Sequence, residues 1–82
     1  MEPEPFDESY DEYVSIVFNY LMSLTLNPEL SEELTQDTFV KAYKSIDAFD
    51  GRCKMSVWLC QIAKNSYFSY RKKEQRKTSL DV

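Results

Sequence analysis

Only two interruptions, "LNPEL" and "DAFDGR", break the helical spacing of apolar residues between Asp7 and Lys73. They divide the chain into three stretches of 3.6-residue period, and no stretch alternates as a strand would. A single glycine in 82 residues, Gly51, leaves almost nowhere else for the backbone to turn. The expected fold is therefore all-α, a compact bundle of three main helices at about 8–26, 28–46 and 54–73. So short a chain buries a modest core and leans readily on a partner.

Each stretch has its own start signal and inner face. In the first, Tyr10, Tyr13, Val14, Val17, Leu21 and Leu24 share one side, and Ser9 with Glu12 has capping-box spacing. Pro3 and Pro5 block helix before it, so residues 1–6 read as a flexible acidic lead-in. In the second, Asn27 suits the N-cap and Pro28 the first helical position. Glu29, Glu32 and Glu33 follow where the helix dipole favours negative charge. Its inner face is Leu30, Leu34, Thr38, Ala42 and Ile46, with Phe39 beside it. Asp50-Gly51 is a turn signal, and Phe49 is expected to anchor that loop to the core. The third helix has the stripe Trp58, Leu59, Ile62, Ala63, Tyr67 and Tyr70, and is expected to fray in "RKKEQRK".

Charge divides the chain at the second interruption. Residues 1–50 hold twelve Asp/Glu and two Lys, whereas residues 51–82 hold eight Lys/Arg and two Asp/Glu. Such asymmetry points to two partners of opposite electrostatic character. The acidic N-terminal stretch is not a secretory signal, and no apolar run approaches the ~20 residues of a membrane span. Two cysteines, Cys53 and Cys60, make no disulfide framework, and without histidine a zinc site lacks its commonest partners. Both read as reduced thiols of a cytoplasmic protein.

Catalysis finds little support. The carboxylates fall in helix first turns and the acidic head, which is ordinary solvated placement. Cys53 stands between Arg52 and Lys54, but no base or orienting partner accompanies it. The chain is expected not to be an enzyme, with no cofactor, metal or small-molecule substrate. The third helix carries Gln61, Lys64, Asn65, Ser69 and Lys72 on its polar face. Asn and Gln bond base edges, Lys neutralises phosphate and Ser does either, although a plain solvated face uses the same residues. Trp58, Tyr67 and Tyr70 serve the core, whereas Phe68 breaks the polar face and is the aromatic placed for exposure. On the second helix, Glu33, Gln36, Asp37, Val40 and Tyr43 share the side away from the apolar stripe. An exposed Val and Tyr among acids and an amide has the composition of a protein contact, though scattered surface apolar residues are also common.

The run "PELSEELTQDTFVKAYKSIDAFDGRCKMSVWLCQIAKN" resembles region 2 of bacterial RNA polymerase sigma factors of the small extracytoplasmic-function class. The order "ELTQDTF", "FDGR", a Trp-Leu helix start and "IAKN" carries the resemblance, which covers residues 6–75. It implies that Glu33, Gln36, Asp37, Val40 and Tyr43 dock on the clamp helices of the polymerase core's largest catalytic subunit. It implies that Asn65 reads the upstream edge of the promoter −10 element. Arg52, Cys53, Lys54 and Met55 would surround a base flipped from the non-template strand, and an anti-sigma factor would be a further partner. Residues 7–75 would form this domain and 76–82 would begin an interdomain linker. Family members carry a second helical domain, region 4, that has no counterpart here, so the chain is expected to be a trimmed piece of a longer protein, with a natural region-2-only partner subunit as the alternative. Cys53 stands where the family often has a small or hydroxyl residue, and Met55 where Phe or another apolar residue is common. Two other functions compete: an adaptor that binds polymerase or a regulator without reading DNA, and a thiol switch through Cys53 and Cys60.

Overall fold

The computed structural model describes the backbone of residues 10–80 and the side chains of residues 10–75. The acidic lead-in and the Ser9 cap lie outside the described residues. Three helices, α1 (Tyr10–Thr25), α2 (Pro28–Ser45) and α3 (Met55–Leu80), follow in order. A single 3-10 turn, Ile46–Ala48, leads α2 into the loop before α3. Each helix packs against the other two. Among the described residues there is no strand, and no helix is long and apolar enough to cross a membrane.

The corner between α1 and α2 is built from side-chain caps. Asn27 has extended backbone, and its Oδ1 accepts from the Leu30 N–H at 3.2 Å. Pro28 occupies the first turn, where its missing N–H is no loss. Thr25 Oγ1 accepts from the Asn27 N–H at 3.1 Å and shares a 2.7 Å hydrogen bond with Ser31 Oγ. Leu26 closes α1 in the left-handed region, φ +54°, with its N–H on the Met22 carbonyl at 2.9 Å. That is the position where helices normally place Gly. Leu26 is 82% exposed, so its side chain returns little packing for the strain. Leu26→Gly relieves ~1–2 kcal/mol of Cβ crowding and gives back part of that through a freer unfolded chain. A net rise of a few degrees in melting temperature is expected, and a fall would show that Leu26 packs after all.

The core centres on Val17 and Leu21 of α1, Leu34, Phe39 and Ala42 of α2, and Leu59 and Ala63 of α3. Six of these belong to the faces expected from spacing, and Phe39, expected beside its face, is buried with them. The stripes overreach at their ends: Tyr10 and Leu24 are exposed, because α1 meets its neighbours mainly through its middle turns. Tyr10 still sets its ring edge-on to Phe39, 5.3 Å between centroids. Trp58, expected largely within the core, is half-buried and packs against it.

Four small polar residues, Ser31, Thr35, Thr38 and Ser66, are also buried. Only Thr38 was expected inside. Thr35 and Thr38 hydroxyls donate to the carbonyls of Ser31 and Leu34, at 2.6 and 2.7 Å, which satisfies them within their own helix. Among the described residues no buried side-chain nitrogen or oxygen lacks a hydrogen-bond partner.

The expected start of α1 at about residue 8 lies outside the described residues; the other expected helix ends hold within one or two residues, with one correction. α3 does not end near Lys73; its helical backbone continues through residues 76–80 to Leu80. Arg, Lys, Glu and Gln lose little rotamer freedom in a helix, and no Gly or Pro interrupts that stretch.

Candidate functional site

The loop between α2 and α3 takes its shape from its own residues. Gly51 has φ +81°, the left-handed region that favours glycine. Asp50 folds over it: Oδ1 accepts from the Arg52 N–H at 3.1 Å and Oδ2 pairs with Arg52 Nε at 2.9 Å. Phe49 fastens the base of the loop by packing on Trp58, with centroids 5.0 Å apart. Arg52, Cys53 and Lys54 are thereby held out in solvent, the Arg52 side chain at 90% exposure. Met55 turns inward, half-buried against the core at the first position of α3.

Along α3, Gln61, Lys64, Asn65, Ser69 and Lys72 are all exposed. At ~100° per residue they fall within about 140° of arc, opposite Leu59, Ala63 and Ser66. Phe68 lies in the middle of this ridge, 48% exposed, with Lys64 Nζ 5.9 Å from its ring centre. Phe68, Arg71, Lys72 and Gln75 line a shallow basic hollow at its far end.

Beside the ridge is a mostly apolar dimple of about 360 Å³ between α1 and α3. Ile16 and Tyr20 form one wall and Ser56, Val57 and Cys60 the other, with Gln61 and Lys64 at the rim. It begins one residue after Met55, so a concavity does adjoin the loop, but its lining comes from the helices and not from Arg52–Lys54. Ile16, Tyr20, Val57 and Cys60 were not among the expected site residues. The signal for them was an apolar residue outside each main stripe: Ile16 and Val57 are 41% and 45% exposed. Burial pushes the Cys60 thiol above its ordinary value of 9.0, so it stays protonated at neutral pH. That suits an apolar floor better than a nucleophile.

The α2 patch is also external in large part. Glu33, Gln36, Val40 and Tyr43 are exposed, Val40 and Tyr43 by 52% and 59%. Asp37 differs, because it faces partly toward α3. It pairs with Lys41 at 3.0 Å, and Lys41 Nζ in turn donates to Ser66 Oγ of α3 at 2.9 Å. Partial burial pushes the Asp37 carboxyl up. Hydrogen bonds from Lys41 and Ser66 and the charges of Lys41 and Lys73 more than offset this, holding it below its ordinary 3.8.

A depressed carboxyl stabilises the fold above the unfolded-state pKa, and the contribution disappears as pH falls through the folded-state value. Asp37→Asn should therefore cost stability near neutrality, modestly because the pair is half-exposed. The gap to the native protein should close as pH drops below about 3.8. Paired thermal melts from pH 7 to pH 2 measure it; a gap that stayed constant would show that the carboxylate charge is not what matters.

Residues 9–77 match the family model for sigma-70 region 2. The chain is 35% identical over 74 residues to the ECF RNA polymerase sigma factor SigM of Bacillus subtilis (strain 168), covering 90% of this chain and 45% of that one. It is 30% identical over 71 residues to the RNA polymerase sigma factor YlaC of the same organism, covering 87% and 41%. With the ECF sigma factor SigW, also of that organism, identity is 29% over 81 residues, covering 99% and 43%. The chain thus spans less than half the length of these relatives. With three helices in the order the motifs demanded and a match across nearly all of them, the chain belongs to the sigma-70 family as a region 2 domain of the extracytoplasmic-function type.

Proposed function

We propose that this domain serves transcription initiation by binding the RNA polymerase core and recognising the promoter −10 element on the non-template strand. The observation that carries the reading is the exposed Gln61–Lys64–Asn65–Ser69–Lys72 ridge lying beside an apolar dimple. Such a pairing suits a strand whose phosphates need cations and one of whose bases needs a dry seat.

In this proposal α2 docks on the clamp helices of the largest catalytic subunit through Glu33, Gln36, Val40 and Tyr43, with Asp37 contributing from the edge of the patch. Asn65 reads the upstream edge of the −10 element, flanked by Lys64 and Ser69. Arg52, Cys53 and Lys54 line the path of the strand as it leaves the duplex, with Met55 supporting the loop from beneath. The extruded base enters the dimple, stacks against Tyr20, Ile16 and Val57, and meets Gln61 at the rim. Extrusion costs a few kcal/mol and stacking returns ~1–3 kcal/mol per base. The domain thus holds an opening that duplex breathing supplies and shifts its population. No covalent step is involved, and the place of action is the cytoplasm, where polymerase works. An anti-sigma factor is proposed as a regulating partner on the family resemblance.

The test is a selection on randomised non-template oligonucleotides with polymerase core present. Enrichment of one short motif is expected. Asn65→Ala should relax a single position of that motif by ~1–3 kcal/mol, the worth of a bidentate base contact, and leave core binding intact. If no motif emerges, and Arg52, Lys54 and Asn65 can be replaced without effect while core still binds, the chain is an adaptor that reads no DNA.

A further inference from the structure

The dimple between α1 and α3 has an imbalance of hydrogen-bonding groups. Its walls are hydrocarbon at Ile16 and Val57, and Cys60 adds a thiol that stays protonated at neutral pH. Lys64 brings three donors and no acceptor, and the hydroxyls of Tyr20 and Ser56 can each donate. No carboxylate lines the hollow. Mid-helix carbonyls of α1 and α3 are already engaged within their own helices. The side-chain carbonyl of Gln61 is therefore the strongest acceptor there.

The four DNA bases differ in how many protons they present to such a lining. Adenine and cytosine each carry an amino group, and guanine carries an amino group and a ring N–H. An amino hydrogen that leaves water and finds no acceptor loses a hydrogen bond outright, which works against all three. Thymine has one N–H, flanked by two carbonyl oxygens. A primary amide matches that edge: Oε1 of Gln61 accepts the N–H while Nε2 donates to a carbonyl beside it. The remaining carbonyl or a neighbouring phosphate is left for Lys64. Thymine alone also carries a methyl group on C5, and the apolar walls offer that methyl a dry surface.

Resting on the proposed function, we infer that the dimple is a thymine seat, in which Ile16 and Val57 read the C5 methyl and Gln61 reads the N3–H and O4 edge. Specificity at the extruded position then has two separable sources. The methyl is read by apolar contact and the edge by hydrogen bonds, so a different change of base removes each. Neither source involves Asn65, which meets another base of the strand.

The experiment uses the full chain with polymerase core and a labelled oligonucleotide bearing the selected motif, read by fluorescence anisotropy. Each thymine of the motif is replaced in turn by uracil, which removes only the methyl. At one position this should weaken binding about fourfold, the worth of one buried methyl-sized group. Cytosine at that position should weaken it by about tenfold or more, because its amino group meets donors. 5-Methylcytosine should regain about fourfold over cytosine, since it restores the methyl alone. Val57→Ala and Ile16→Ala should bring the thymine-to-uracil ratio toward one while cytosine is still rejected. Gln61→Met should do the reverse, keeping thymine over uracil and losing thymine over cytosine. Ile16 and Val57 are half-exposed, and circular dichroism checks that each variant is folded. The inference is overturned if the motif holds no thymine or if no exchange for uracil matters. It is also overturned if the exchange matters as much in both Val57→Ala and Ile16→Ala, because another group then reads the methyl. A native protein that binds core yet selects no motif would remove the proposed function as well; a motif read through Asn65 with no thymine preference elsewhere removes this inference alone.

Discussion

Leu59→Ala is expected to cost the domain about 3–5 kcal/mol, most of its stability. Leu59 is completely buried, and it meets the core cluster where all three helices contribute. Truncation removes the transfer free energy of its lost atoms and leaves a cavity that helix backbones cannot close. Ordinary per-residue stability gives a chain of this length on the order of 4–12 kcal/mol, and small domains fall toward the lower end. Urea unfolding followed by circular dichroism should show the midpoint collapsing toward zero denaturant, with a fraction already unfolded in buffer. Leu59→Met, which keeps the volume, should cost less than about 1.5 kcal/mol. A loss below about 1 kcal/mol for Leu59→Ala would mean that the three helices do not close around this residue.

On the proposed function, Trp58→Ala should do two things at once, with a stability loss of about 3 kcal/mol and weaker binding of an extruded base. Trp58 is half-buried and carries the Phe49 ring that fastens the loop. Without the indole, Phe49 loses its partner, and the backbone leading to Arg52 and Lys54 is no longer held by packing. Trp58 is also next to Val57, which lines the dimple. Oligonucleotide affinity should therefore fall by tenfold or more at a temperature where circular dichroism still reports a folded domain, because a loosened site must be ordered on binding. Binding to polymerase core through α2 should persist, and Trp58→Phe should recover most of both properties. If oligonucleotide affinity tracked the folded fraction alone, the loop would need no anchor at all.

Much of this organisation is legible one segment at a time. Asn27-Pro28 announces the start of α2 because capping chemistry is confined to a few neighbouring residues. Asp50-Gly51 announces the loop because only glycine takes its backbone angle freely. Val17, Leu21, Leu34, Leu59 and Ala63 announce the core because helical spacing collects them on one face. The exposed ridge on α3 is legible for the same reason. Ser31, Thr35 and Ser66 are not, since a hydroxyl satisfied by a nearby carbonyl or by a neighbouring helix is no longer polar in effect. The extension of α3 to Leu80 was obscured because a run of cations suggests fraying while its individual residues favour helix.

The amino-acid sequence by itself determined the number of helices, the faces they bury and the reversal of charge between α2 and α3, since each depends on residues a turn or two apart. Tertiary structure decided which helices share a wall. The dimple needs Ile16 and Tyr20 brought beside Val57 and Cys60, and the hydrogen bond between α2 and α3 needs Lys41 brought to Ser66. Those meetings depend on how each helix is rotated when three apolar faces close together, and no local periodicity records that rotation.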